Sequence, residues 1–181
     1  MRTLADHMAV YAAYHRHPVN RAIHFLGIPA IVWGAMVMLG LVELATFGSV
    51  TVTLAHVATL ALLAWYLSMD FGLGVATVAV FTVLLVSALQ VAAQDADTAL
   101  RVAGAVFILG WVVQFVGHGI WEKRRPAVLD NLLQAFVAPV FLVAETAFAL
   151  GFRKPLHAEV QSKMQAHLPA QAQAAPPMAA P

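Results

Sequence analysis

Cysteine is missing from this 181-residue chain, and charge is scarce. Without cysteine there are no disulfides, no thiolate metal sites and no iron–sulfur clusters. Only 10% of residues are charged, against about 25% in soluble domains, which excludes an ordinary water-soluble core. Lys and Arg total 10 against 9 Asp and Glu, and no basic stripe forms, which argues against a nucleic-acid binder. The first residues also lack the short apolar core of a cleavable signal peptide, holding Asp6, His7, His15, Arg16 and His17 instead; none is expected. What is present is grease: 61% of residues are hydrophobic and the mean hydropathy is +0.80. The expectation is an integral membrane protein, with roughly 20 apolar residues per crossing.

The chain reads as an all-α, polytopic membrane helix bundle of four to five hydrophobic helices preceded by an N-terminal interfacial helix. Leu4, Met8, Tyr11 and His15 share one face at three- and four-residue spacing, which predicts a short helix at the interface. Pro18 is placed to open the next helix. Apolar segments follow at about Ile23–Ala45, Val52–Phe71, Leu73–Ala93, Ala99–Trp121 and Leu132–Phe152. The short "SMDFGLG" break predicts a tight helical hairpin with Asp70 near its tip, and Thr98 in "QDADTALR" reads as an N-cap. Residues 1–155 form a single membrane-embedded domain in this reading. Residues 156–181, rich in Ala, Pro and Gln, read as a polar and largely disordered tail.

Four crossings would place the N-terminal Arg2, Arg16 and Arg21 beside Lys123, Arg124 and Arg125 on the cytoplasmic side, as the positive-inside rule prefers. The fifth segment carries Pro139 and Glu145, so it either crosses or bends back. An even number of crossings also brings His24, at the start of the first segment, to the same membrane face as His118, at the end of the fourth. His15 lies just before them, and Glu122 follows His118 at i,i+4. Imidazoles with a carboxylate suit zinc or non-heme iron and leave positions open for oxygen and substrate.

Competing roles exist for each group. His17 can cap the first span, His56 reads as a satisfied packing residue, and His157 and His167 read as solvated. The Lys123–Arg125 run serves as a headgroup anchor. Asn20, Asp130 and Asn131 are candidates to hold the ligating rings, and Glu145 requires a partner inside an apolar segment.

The blocks "YAAYHRHPVNRAIHFLGIP" and "GWVVQFVGHGIWEKRRPAVLDNLLQAFVAPVFLVAE" resemble the family of small membrane-embedded 2-hydroxy fatty acid dioxygenases, whose characterised eukaryotic relative acts in phytosphingosine breakdown. The resemblance runs from about Asp6 to Pro155. It implies an Fe(II)-dependent, O2-consuming α-oxidation that shortens a long-chain 2-hydroxy fatty acid by one carbon. On that reading His15, His24 and His118 are the metal ligands. Glu122 is a fourth ligand or a proton acceptor for the 2-hydroxyl, and Arg124 or Arg125 attracts the substrate carboxylate.

Two other classes stay open from the residues alone. Paired histidines at one depth could hold a heme in an electron carrier. A transporter or scaffold would use the histidines for gating or packing. Neither alternative accounts for Glu122 beside His118 and for polar groups gathered at one membrane face.

Overall fold

In a computed structural model, which describes residues 3–168, the chain is almost entirely helical. The elements are α1 (Leu4–Tyr14), α2 (Pro18–Gly40), β1 (Glu43–Phe47), β2 (Val50–Thr53), α3 (Leu54–Met69), α4 (Phe71–Ala92), α5 (Ala96–Gly117), a π turn (His118–Glu122), α6 (Ala127–Asp130), α7 (Leu133–Ala149) and α8 (Lys154–Met164). The expected helix bundle is therefore present. Three helices, Pro18–Gly40, Phe71–Ala92 and Ala96–Glu122, are long and apolar enough to cross a membrane, while α3 is a shorter apolar helix.

Local chemistry explains most boundaries. Thr3 caps α1 in a reciprocal capping box with Asp6. His17 caps α2, its Nδ1 accepting from the Val19 N–H at 3.2 Å, with Pro18 opening the first turn. Asp70 makes the α3–α4 hairpin: it ends α3, and its Oδ1 accepts from the Leu73 N–H at 3.0 Å. Arg153 pairs with the same carboxylate. His56 is satisfied locally, its Nδ1 meeting the Thr53 N–H at 3.1 Å and the Thr53 hydroxyl at 2.9 Å at the start of α3.

Four expectations are corrected. The first segment stops at Gly40, and residues on either side of Gly48 form an antiparallel hairpin. The run Val50–Thr53 is β-branched throughout, alternating Val and Thr, and Gly48 supplies the positive φ of 60° that the turn needs. The cap of α5 is Asp95, whose carboxylate accepts from the Thr98 N–H at 2.9 Å, in place of Thr98 itself. The segment after residue 155 also begins as structure: α8 packs on α1, burying Val160 and joining Lys163 to Asp6 at 2.6 Å. His157, expected in solvent, stacks on Phe148 with ring centroids 4.5 Å apart. The rest of the expected tail, residues 169–181, lies outside the described residues.

In the fifth apolar segment Pro139 sits inside a continuous α7, and the chain turns by 119° between α7 and α8. The turn falls where Gly151 and Arg153 both take positive φ.

The bundle closes around a seam of small residues between α2 and α5. A Cβ on Gly34 would meet the Ala103 carbonyl oxygen at 2.9 Å, and one on Gly110 would meet the Gly27 carbonyl oxygen at 3.1 Å. Small residues let membrane helices approach backbone to backbone. This contact brings the first two turns of α2 against the last turn of α5.

Candidate metal centre

Three buried histidines meet at that end of the bundle. His15 ends α1, His24 lies in the second turn of α2, and His118 begins the π turn after α5. Their exposures are 4%, 2% and 1%. His15 Nε2 lies 3.0 Å from His24 Nε2 and 3.1 Å from His118 Nε2. One nitrogen from each ring falls within 4.8 Å of the others.

Hydrogen bonding fixes two of the tautomers. A carbonyl oxygen only accepts, so the His15 Nδ1–H donates to Tyr11 O at 2.7 Å and the His24 Nδ1–H donates to Asn20 O at 2.7 Å. Each neutral ring then turns an Nε2 lone pair inward. A hydrogen bond between those two nitrogens would require a doubly protonated imidazolium. Burial opposes that, holding His15 well below the ordinary imidazole pKa, and the neighbouring His24 adds to the effect. His118 is less constrained, because its buried Nδ1 has no partner among the described residues.

Convergent lone pairs in a buried site repel one another until a cation satisfies them. Nitrogens that each sit about 2.1 Å from one divalent ion are roughly 3 to 3.4 Å apart, and the separations of 3.0 and 3.1 Å fall in that range. The donor set therefore fits a divalent transition metal. Backbone carbonyls behind two of the rings supply the outer hydrogen bonds that metal-bound imidazoles commonly make.

Packing holds the three rings still. The Tyr11 ring stacks on His15 with centroids 3.9 Å apart and planes 8° from parallel, and Phe141 backs Tyr11 at 4.5 Å. Asn20 is fully buried: its backbone carbonyl holds His24, and its side-chain amide donates to Glu122 Oε1 at 3.1 Å.

The structure separates the remaining candidates from the three rings. The wider π turn carries Glu122 to the start of α2, where its Oε1 also accepts the His17 N–H at 2.8 Å. The carboxylate thus pins the α2 N-terminus, where a negative charge is favoured. Arg124 lies over the Tyr14 ring, 3.4 Å from its centroid, and Arg125 pairs with Asp130 at 2.5 Å. Neither arginine lines the cavity beside the histidines. Asp130 also accepts from the Tyr14 hydroxyl at 2.8 Å, next to His15 in sequence. Asn131 accepts from the Leu133 N–H at 3.0 Å and so starts α7. Glu145 finds its partner in Arg21 at 2.9 Å.

The cavity at the histidines measures about 60 Å³. Besides the three rings, its polar lining comes from Gln114 and Gln134, with Tyr11, Ile28, Val32, Trp111 and Ala138 among the other residues. A second cavity, of about 160 Å³, lies between α2, α4 and α7 and is walled by Phe25, Pro29, Phe81, Leu84, Leu142 and their neighbours. Ile28 and Val32 line both cavities. Gln134 had no role in the sequence reading. Its signal is a lone carboxamide within the apolar run "LLQAFVAPV".

Comparison with known proteins gives a consistent picture. The profile of a family described as "Mpo1-like: 2-hydroxy-palmitic acid dioxygenase Mpo1-like" matches residues 1–150. The chain is also similar to the 2-hydroxy-palmitic acid dioxygenase MPO1 of Saccharomyces cerevisiae, with 33% identity over 163 residues covering 90% of each protein. No solved structure matches.

Proposed function

The chain belongs to the Mpo1-like family, and from that membership and the buried histidine cluster we propose that it is an Fe(II)-dependent dioxygenase of long-chain 2-hydroxy fatty acids. In the proposed reaction the C1–C2 bond breaks. C2 becomes the carboxyl carbon of an acid one carbon shorter, C1 leaves as carbon dioxide, and O2 is reduced with water as the other product. The observation that carries the reading is the convergence of three imidazole nitrogens in a buried cavity that adjoins an apolar one.

His15, His24 and His118 would hold the iron. When bound, iron(II) supplies open positions for oxygen and for the carboxylate and hydroxyl oxygens of the substrate. The chain's own residues do the rest. Tyr11 O and Asn20 O keep two rings in the ligating tautomer. Ile28, Val32 and Trp111 keep the site apolar. The second cavity offers the acyl chain an apolar path between α2, α4 and α7, worth about 0.8 kcal/mol per buried methylene.

The head group enters without a guanidinium clamp. Arg124 and Arg125 draw anions toward this end of the bundle through their charge, while their side chains are committed to Tyr14 and Asp130. The same cluster, with Arg16 and Arg21 close in sequence to His15 and His24, favours the cytoplasmic face for the metal end. Heme is disfavoured as the occupant, because the cavity of about 60 Å³ is far smaller than a porphyrin.

The test is to give purified protein 2-hydroxy-palmitic acid, Fe(II) and air and to analyse the products by mass spectrometry. Pentadecanoic acid formed by the intact protein and absent with His118→Ala supports the reading. Bound iron without that product would redirect it to other lipids.

A further inference from the structure

Gln134 sits in the first turn of α7 and lines the cavity together with His15, His24 and His118. It is 2% exposed. Its Oε1 is buried and has no hydrogen-bond partner among the described residues. A buried carbonyl oxygen left unpaired is destabilising, so such an atom in a binding cavity marks the place where a ligand donor fits.

The chemistry of the head group identifies the donor. An ionised 2-hydroxy acid carries two carboxylate oxygens, which only accept, and one hydroxyl, which can donate. We propose that Gln134 Oε1 accepts a hydrogen bond from the substrate's 2-hydroxyl and selects 2-hydroxy acids over fatty acids that lack it. The inference rests on the preceding reading that such acids occupy this cavity. A site built to bond a hydroxyl rejects the analogue without one, because its own polar group is left unpaired. The aliphatic part of Gln134 remains available to pack beside Ala138, which lines the same wall.

The test measures binding instead of turnover. Full-length protein loaded with iron is kept free of oxygen, and 2-hydroxy-palmitic, 2-fluoropalmitic and palmitic acids each compete with a fluorescent fatty acid. The wild type is expected to prefer the hydroxy acid over palmitic acid by about tenfold or more. Gln134→Met, which keeps the length and removes the acceptor, is expected to lose about fivefold or more of that preference while retaining palmitic acid binding, iron content and the share of the preference that the hydroxyl's bond to iron supplies. A preference unchanged in Gln134→Met overturns the role of Gln134 and leaves the proposed function standing.

The fluoro acid gives a second test that needs no variant. Fluorine occupies similar space and donates nothing, so the wild type should bind 2-fluoropalmitic acid as weakly as palmitic acid. Binding equal to that of the hydroxy acid overturns the inference. If the wild type binds none of the three acids, both the inference and the functional reading fall.

Discussion

His15 Nε2 and His24 Nε2 face each other at 3.0 Å, although the protein has already placed a proton on the far nitrogen of each ring. Two lone pairs at that distance make a poor hydrogen bond and a good half of a cation site. Removing either backbone-anchored ring should therefore abolish high-affinity metal binding. His15→Ala and His24→Ala proteins, dialysed against iron and analysed by elemental mass spectrometry, are expected to retain under a tenth of the wild-type metal. Full stoichiometry in either variant would remove that residue from the ligand set.

Glu122 separates positioning from ligation. Its oxygen accepts from the His17 N–H and the Asn20 amide, and a neutral carboxamide can accept both. Glu122→Gln should keep metal affinity within a few-fold of wild type. Glu122→Ala leaves those donors unpaired, loosens the first turns of α2, and should weaken affinity by about 10- to 100-fold, as outer-shell losses do. Equal losses in the two variants, read by titration with a competing chelator, would instead make Glu122 a ligand.

The Gly117 position tests how tightly α5 presses on the site. A Cβ there would land on Asn20 Oδ1, whereas one on Gly104 would meet nothing within 4 Å. Gly117→Ala should destabilise the protein by about 1–3 kcal/mol, the usual range for overpacking, and should lower metal affinity through Asn20 and His24. Gly104→Ala should be neutral or slightly stabilising. Thermal unfolding of the two proteins in one detergent compares them directly.

Docking of α8 on α1 should depend on pH through the Asp6–Lys163 pair. The lysine's hydrogen bond pulls the Asp6 carboxyl well below its ordinary 3.8. Its contribution is fully present above that value and is lost as pH falls toward the lowered pKa. Bonds to Asp6 and Glu159 raise Lys163 above its ordinary 10.5, so its contribution is present below that value and lost as pH rises through the raised one. Hydrogen exchange across residues 154–164, corrected for its intrinsic pH dependence, should show steady protection at neutral pH and loss at both extremes. Lys163→Met should weaken protection at neutral pH, and added salt should shrink the difference between the two proteins.

Arg124→Ala and Arg125→Ala should change the KM for the hydroxy acid by less than about fivefold. Their side chains rest on Tyr14 and Asp130, outside the cavity lining, so they act on the anion through distance-weakened, salt-screened charge. A loss of a hundredfold, measured at constant ionic strength, would put a guanidinium on the substrate.

The helices and the meeting of the three histidines were legible because their signals are local or topological. Apolar runs mark helices, and the even number of helices from α2 to α5 brings His24 and His118 to one end. The hairpin at Glu43–Thr53 was hidden because its apolar residues, such as Leu44 and Phe47, continue the hydropathy of the neighbouring helices. The contacts of Glu122 with His17 and Asn20 were hidden because i,i+4 reasoning assumes α geometry, and His118–Glu122 winds as a π turn. The partners of Arg124, Arg125 and Glu145 lie on other elements, and spacing along one helix carries no information about them. Gln134 enters the cavity only through the tertiary placement of α7.

The most direct test of the central claim measures iron and product in the same preparation, for the wild type and for His118→Ala. The account predicts one iron per wild-type chain and conversion of 2-hydroxy-palmitic acid to pentadecanoic acid, with both lost together in the variant. Product formed by a folded, iron-free His118→Ala protein would contradict it.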